Sequence, residues 1–201
     1  MTAVPPAYGD GVAQAVDAPF RYDIRSLGRR PGSMIESHRT VVTPIRIGTE
    51  MVAIEPGTEM DLDLRMESVS EGVLVTGTAC GETAGQCSRC LEPIEGTVTV
   101  FLTELYAYPD SETDKTTADE EVHRVDNDYI DLEQALIDAI GLELPMSPLC
   151  RADCQGLCPD CGVVLAVAEP GHSHEKIDPR WAGLADKLDA IGDENRGDGS
   201  R

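Results

Sequence analysis

Seven cysteines, at positions 80, 87, 90, 150, 154, 158 and 161, are the residues of this 201-residue chain best suited to chemistry. Six fall into short spacings, Cys87-x2-Cys90 and Cys150-x3-Cys154-x3-Cys158-x2-Cys161. Such spacings let successive thiolates converge on one soft cation. Cys158-Pro159-Asp160-Cys161-Gly162 has the form of a zinc knuckle. In that turn two sulfurs and several backbone amides aim at a metal, and glycine tolerates the positive φ. His172 and His174 lie just downstream and can replace one or two sulfurs. The expected site is therefore Cys150, Cys154, Cys158 and Cys161 around about one zinc per chain, with His172 and His174 as substitutes. Its role would be structural, stapling a segment with too few large apolar residues to order itself. Cys87 and Cys90 are a weaker pair. They either pack apolar surface in a turn or bind metal, in which case they could join Cys158 and Cys161 as two knuckles of a ribbon.

Other chemistries compete for the same thiols. An iron–sulfur cluster is one, because Cys154-x3-Cys158-x2-Cys161 reproduces the spacing of radical-SAM enzymes. Those enzymes surround the cluster with a large barrel, whereas only 40 residues follow Cys161 and Asp160 stands where they usually place an aromatic. A thiol oxidoreductase using Cys158/Cys161 or Cys87/Cys90 is another, although neither pair opens a helix after a strand in a βαβ unit. Buried cysteine without metal is the default for Cys80. The chain has no phosphate-binding glycine loop, no H-E-x-x-H and no G-x-S-x-G.

The elements that must position these residues follow from composition and periodicity. Hydrophobic residues are 41% and aromatics 4%, so a core is feasible and must be built from aliphatic side chains. Acidic residues number 37 against 16 basic, a net charge of −21. Ten acidic and two basic side chains fall in 47–102, and thirteen and two in 103–143. Broad phosphate neutralisation is thereby excluded as the main binding mode. Any local RNA contact would use the arginines at 21, 25, 29, 30, 39 and 46. No run of 18 apolar residues exists to span a membrane. The N-terminus lacks the basic and apolar regions of a signal peptide, so the expected location is cytoplasmic.

Met60, Leu62, Leu64 and Met66 alternate with Asp61, Asp63 and Arg65, the clearest half-buried strand. Short strands are also expected over 20–25, 34–47 (with Pro44 at an edge or kink), 73–76 and 97–106. Residues 108–128 are acidic and poor in aliphatics, which reads as a surface loop. A helix follows, capped by Asp131, with Leu132, Ala135, Leu136, Ala139 and Ile140 as its stripe and Gly141 as its end. Asp178-Pro179 opens a second helix that Gly192 closes. The expected fold is α+β: an antiparallel meander sheet with a packed helix, then a Cys-rich, metal-stapled C-terminal segment ending in a helix. The expected organisation is a disordered tail at 1–19, the sheet and helix at 20–143, the Cys-rich segment and helix at 144–192, and a frayed tail at 193–201.

Taken together, Cys87-x-Arg89-Cys90-Leu91-Glu92-Pro93, Thr103-Glu104-Leu105-Tyr106 and Asp131-Leu132 resemble the YceD-like family, the large ribosomal RNA subunit accumulation proteins. Leu144-Pro145, the run from Pro148 to Gly162 that holds four cysteines, and Asp178-Pro179-Arg180-Trp181 extend the resemblance to roughly residues 20–190. It implies a non-enzymatic role in synthesis, processing or stability of large-subunit ribosomal RNA, with no catalytic residue to carry over. Other cysteine-rich members tend to have a Cys-x-Cys pair where this chain has His172-Ser173-His174, and many lack the second cysteine cluster. Resemblance and charge together point to a basic large-subunit ribosomal protein or a ribosomal precursor particle as partner. The rival functions are a thiol-redox or iron–sulfur enzyme, and a zinc-bearing interaction module unrelated to ribosomes.

Overall fold

The computed structural model describes residues 18–118, 122–174 and 183–184. The chain divides into two compact units, Met1–Cys154 and Gln155–Arg201. The first contains β1 (Arg21–Asp23), β2 (Met34–Val42), β3 (Ile47–Gly48), β4 (Val52–Ile54), β5 (Glu59–Ser68), β6 (Gly72–Gln86) and β7 (Pro93–Ala107). These are followed by α1 (Glu112–Thr116), β8 (His123–Arg124), β9 (Tyr129–Asp131) and α2 (Glu133–Glu143). The class is α+β with a mostly antiparallel sheet, as the alternation in the sequence implies.

β6 and β7 form one long hairpin, paired from Gly72↔Ala107 to Gln86↔Pro93. The free edge of β6 is shared. β5 takes it from Val73 to Gly81, and β2 adds outside β5. β4 takes the last stretch through Val52↔Gly85 and Ala53↔Ala84, with β3 beyond it. That approach requires glycine, because a Cβ at Gly85 would stand 2.2 Å from the Met51 carbonyl oxygen. β8 lies parallel to β7, and β1 pairs with β9 in a separate two-stranded ribbon.

Met60, Leu62, Leu64 and Met66 point inward from β5, as the alternation requires, and are at most 1% exposed. They meet Val73, Val75 and Ala79 of β6, Val98, Val100 and Leu102 of β7, and Leu132, Leu136 and Ile140 of the helical layer. Each large aliphatic so buried contributes about 2 kcal/mol. Phe20, Tyr22 and Tyr106 complete the core. Unit 1 thus has a core of its own, and its longest hairpin points its loop, residues 87–92, away from the β6–β7 pairing.

Several local expectations are corrected. β6 and β7 run 15 residues each, well beyond the apolar stretches at 73–76 and 97–106, because their outer positions are filled by Thr, Gly and Glu that alternate with buried residues. The strand from 34 stops at Val42 and resumes only as β3, with Pro44 between; β2 is an edge strand. Residues 108–128 are not all loop. Ser111 caps α1 by accepting from the Asp114 amide at 3.1 Å, and Arg124 donates to Asp114 at 2.6 Å. Gly141 does not end α2, which continues to Glu143 until Pro145 forbids more. The N-cap position is Leu132, while the Asp131 carboxylate still accepts from the Glu133 amide at 3.0 Å. Most of the expected tail at 1–19 and of the helix from Asp178, and all of 193–201, lie outside the described residues.

Candidate metal centres

The cysteines fall into two groups, each of four potential ligands. Cys87, Cys90, Cys150 and Cys154 form the first, and Cys158, Cys161, His172 and His174 the second; within each group the ligand atoms all lie within 4.8 Å of one another. The four cysteines expected to share one metal are therefore divided, and Cys87 and Cys90 join Cys150 and Cys154 rather than Cys158 and Cys161. The reason is topological: the hairpin loop places Cys87-x2-Cys90 where the chain leaving α2 returns. Linear spacing carries no trace of that contact.

In the first group the Cys87 and Cys154 sulfurs are 3.7 Å apart, and those of Cys90 and Cys150 3.6 Å. A disulfide needs about 2.05 Å. A tetrahedron of sulfurs around a metal at about 2.3 Å has edges of about 3.8 Å. The observed separations fit the second case. Cys87, Cys90 and Cys154 are buried, and Cys150 is exposed. The hairpin loop is fastened to the returning arm by further contacts. The Ser88 amide and hydroxyl donate to the Pro148 carbonyl at 2.8 and 3.0 Å, and the Arg89 guanidinium donates to the Cys154 carbonyl at 2.9 Å.

The electrostatics of this group would accommodate a cation. The backbone N–H of Cys150, then those of Cys90 and Arg89, draw the Cys87 thiol down to about 6 against the opposing effect of burial. Burial and then the neighbouring thiols push Cys150 up to about 12. Four sulfurs at this distance cannot all ionise beside one another unless positive charge stands between them.

The second group lies within unit 2. Cys158 is buried, whereas Cys161 and His174 are exposed. His172 Nε2 and His174 Nε2 lie 3.4 and 3.2 Å from the Cys161 sulfur, and 3.1 Å from each other. Two imidazole nitrogens and a sulfur aimed at one point are the donor set of a mixed nitrogen–sulfur metal site. The amides of Cys161 and Asp160 lower the Cys158 thiol to about 6 against burial.

Both cysteine pairs sit on the same turn. The Leu91 amide donates to the Cys87 carbonyl at 2.9 Å, and the Gly162 amide to the Cys158 carbonyl at 2.8 Å. The Cys87 amide donates to Glu92, and the Cys158 amide to Val163, at 2.9 and 2.8 Å. The fifth residue has positive φ in each, 61° at Leu91 and 75° at Gly162. Gly162 announced this turn in the sequence; Leu91 concealed it. Cys80 lies apart from both groups, on β6, with the Thr99 hydroxyl 3.4 Å from its sulfur.

The chain matches the family described as "Large ribosomal RNA subunit accumulation protein YceD" over residues 75–186. An uncharacterized protein of Mycobacterium tuberculosis (strain H37Rv) is 59% identical over 191 residues, covering 95% of this chain and 92% of its own. An uncharacterized protein of Mycobacterium leprae is 51% identical over 181 residues, 90% of this chain and 83% of its own. The Bacillus subtilis protein YlbN, also uncharacterized, is 29% identical over 121 residues, 60% and 69% of the two chains. No solved structure matches the chain.

Proposed function

The chain belongs to the YceD family of large ribosomal RNA subunit accumulation proteins, and on that premise we propose that it is a non-enzymatic, cytoplasmic ribosome-biogenesis factor. It supports synthesis, processing or stability of large-subunit ribosomal RNA by holding a basic ribosomal protein, free or within a precursor particle. Family membership carries this reading, and the surface supports it. The outward face of β5 bears Asp61, Asp63 and Glu67, and its one cation, Arg65, is paired with Glu67 at 2.9 Å. Register places Asp63 between His38 and Thr78, and Thr78 next to Phe101, which is 69% exposed. An acidic sheet face with an aromatic at its β7 edge suits a Lys- and Arg-rich polypeptide. Most of the N-terminal arginines are already engaged: Arg21, Arg25 and Arg46 with carboxylates, Arg29 and Arg39 over the Tyr108 and Tyr22 rings.

Zinc is the metal we assign to the thiols. Two sulfur–sulfur edges of 3.7 and 3.6 Å, with all four sulfurs within 4.8 Å of one another, suit one ion of zinc's size. A multi-iron cluster ligates its cysteines through different irons and holds them farther apart, which disfavours the iron–sulfur alternative. The test has two arms. Elemental analysis of purified protein should find zinc in colourless material, and visible absorbance from iron–sulfur charge transfer would reject the assignment. Titration with basic large-subunit proteins and with ribosomal RNA at two salt concentrations should favour the protein, with affinity falling as salt rises. Tight RNA binding that depends on Arg21, Arg25, Arg29 and Arg30 would overturn the partner.

A further inference from the structure

Among the described residues, the second ligand group stands in a segment that has little else to hold it. Among residues 155–174, Gly156 and Cys158 are buried, and no aliphatic side chain is. Leu157, Val163, Val164 and Leu165 are only half-buried, and Val167 is 77% exposed. None of these residues belongs to the hydrophobic core, whose last member among the described residues is Leu144. Fixing a residue's backbone costs about 1–2 kcal/mol, and half-buried aliphatics do not offset that over 20 residues. Yet the segment has a defined chain path: Cys158–Gly162 forms the knuckle, Leu157 bridges Val164, and His172 and His174 return to Cys161. The convergence of Cys158, Cys161, His172 and His174 is the feature able to supply the missing energy, because binding free energy at a structural metal site is folding free energy.

We infer that Cys158, Cys161, His172 and His174 form a second zinc site, distinct in its ligands from the four-cysteine site and more readily emptied, and that its occupancy decides whether residues 155–174 are ordered. This rests on the assignment of zinc above. The chain then holds two zinc ions, not the single one that its cysteine spacing suggests. The inequality follows from access and from ligand type. Three of the first group's ligands are buried, and its loop is tied to the returning arm through Ser88 and Arg89. In the second group a chelator or a competing protein can reach Cys161 and His174 directly. Pro159 occupies the place of Ser88 and has no N–H to donate. Loss of one outer contact weakens metal binding roughly 10- to 100-fold, and the Ser88 amide contact has no counterpart at Pro159. A segment ordered only when zinc is available would make part of this protein's surface responsive to the metal supply.

The experiment uses the full chain. Zinc is counted per chain, then competed away with a chromophoric chelator while hydrogen exchange is followed. The expected result is two zinc ions, one leaving at least about tenfold faster, with protection lost over 155–174 and kept over β5–β7. The double substitution His172→Ala and His174→Ala should hold one zinc and reproduce that local loss. Cobalt(II) loading adds a spectroscopic check: the wild type should show a four-sulfur and a mixed nitrogen–sulfur d–d envelope, and the variant only the first. A single zinc per chain, unchanged in the histidine variant, would overturn the second site while leaving the zinc assignment intact. Two ions leaving at the same rate would overturn the inequality, and undiminished protection of 155–174 in metal-free protein the coupling to order. Protein that binds no zinc at all would defeat the underlying assignment instead.

Discussion

The loop at Cys87–Glu92 and the turn at Cys158–Val163 are the same knuckle used in two settings. Backbone hydrogen bonds, positive φ at the fifth residue and a first cysteine drawn to about 6 recur in both. The surroundings differ. One knuckle is the tip of a hairpin whose strands belong to a core, and its partners are two further cysteines on an arm fixed by α2. The other has a few half-buried aliphatics around it and two histidines as partners. On the proposed zinc assignment a shared local motif serves two ends: in the first, metal would fasten structure that exists already; in the second, metal would create it.

The largest expected effect separates the two by mutation. Cys87→Ser should destabilise unit 1 by about 3 kcal/mol, the range for losing a structural ligand, and lower its melting temperature by roughly 10 °C. Cys158→Ser should leave that transition unmoved and abolish exchange protection over 155–174 alone. Calorimetry paired with hydrogen exchange reads both, and equal effects on the sheet would break the comparison.

Acidification of the metal-free protein tests which knuckle keeps its shape without metal. A thiol lowered in the fold contributes stability that is complete above its unfolded value, about 8.5, and is lost as pH falls through the folded value. Cys87, on a loop that the sheet holds without metal, should titrate near 6 by carbon NMR of labelled cysteine, whereas Cys158, whose knuckle loses its order when zinc leaves, should titrate near the unfolded value of about 8.5. Cys150, pushed up to about 12, should remain a thiol throughout that range. Titration of Cys87 near 8.5 would mean the amides do not point at its sulfur, and titration of Cys158 near 6 would mean its knuckle keeps its shape without metal.

A smaller effect sharpens the difference in fastening. Arg89→Ala removes the donor to the Cys154 carbonyl and should cost about 1–2 kcal/mol, seen as faster zinc release from the four-cysteine site. The smallest effect concerns the fifth residue. Gly162 has open space around its Cβ position, so Gly162→Ala meets only the backbone cost of positive φ, about 1 kcal/mol, or roughly a fivefold loss of zinc affinity. Leu91→Gly should relieve a similar strain and give most of it back as unfolded-state entropy, leaving affinity within about twofold.

Much of unit 1 was written locally. The alternation from Met60 to Met66 determines a strand with one face inward whatever its neighbours, and the stripe from Leu132 to Ile140 determines the helix that covers the core. The composition determined an aliphatic core and an acidic surface, and the cysteine and histidine types supplied the donors of a soft-metal site. Strand length was less legible, since Thr, Gly and Glu on the outer positions of β6 and β7 carry no apolar signal and are held by pairing. The end of α2 was misread at Gly141 because glycine only permits a stop, while Pro145 enforces one. His172 and His174 beside the Cys158/Cys161 knuckle were legible, whereas the division of the cysteines between two groups was beyond linear reading. Proximity in sequence puts Cys150, Cys154, Cys158 and Cys161 together, whereas the hairpin carries Cys87 and Cys90 across 60 residues to claim the first two. Spacing constrains which thiolates can share a turn, and only the packing of turns against one another decides which turns share a metal.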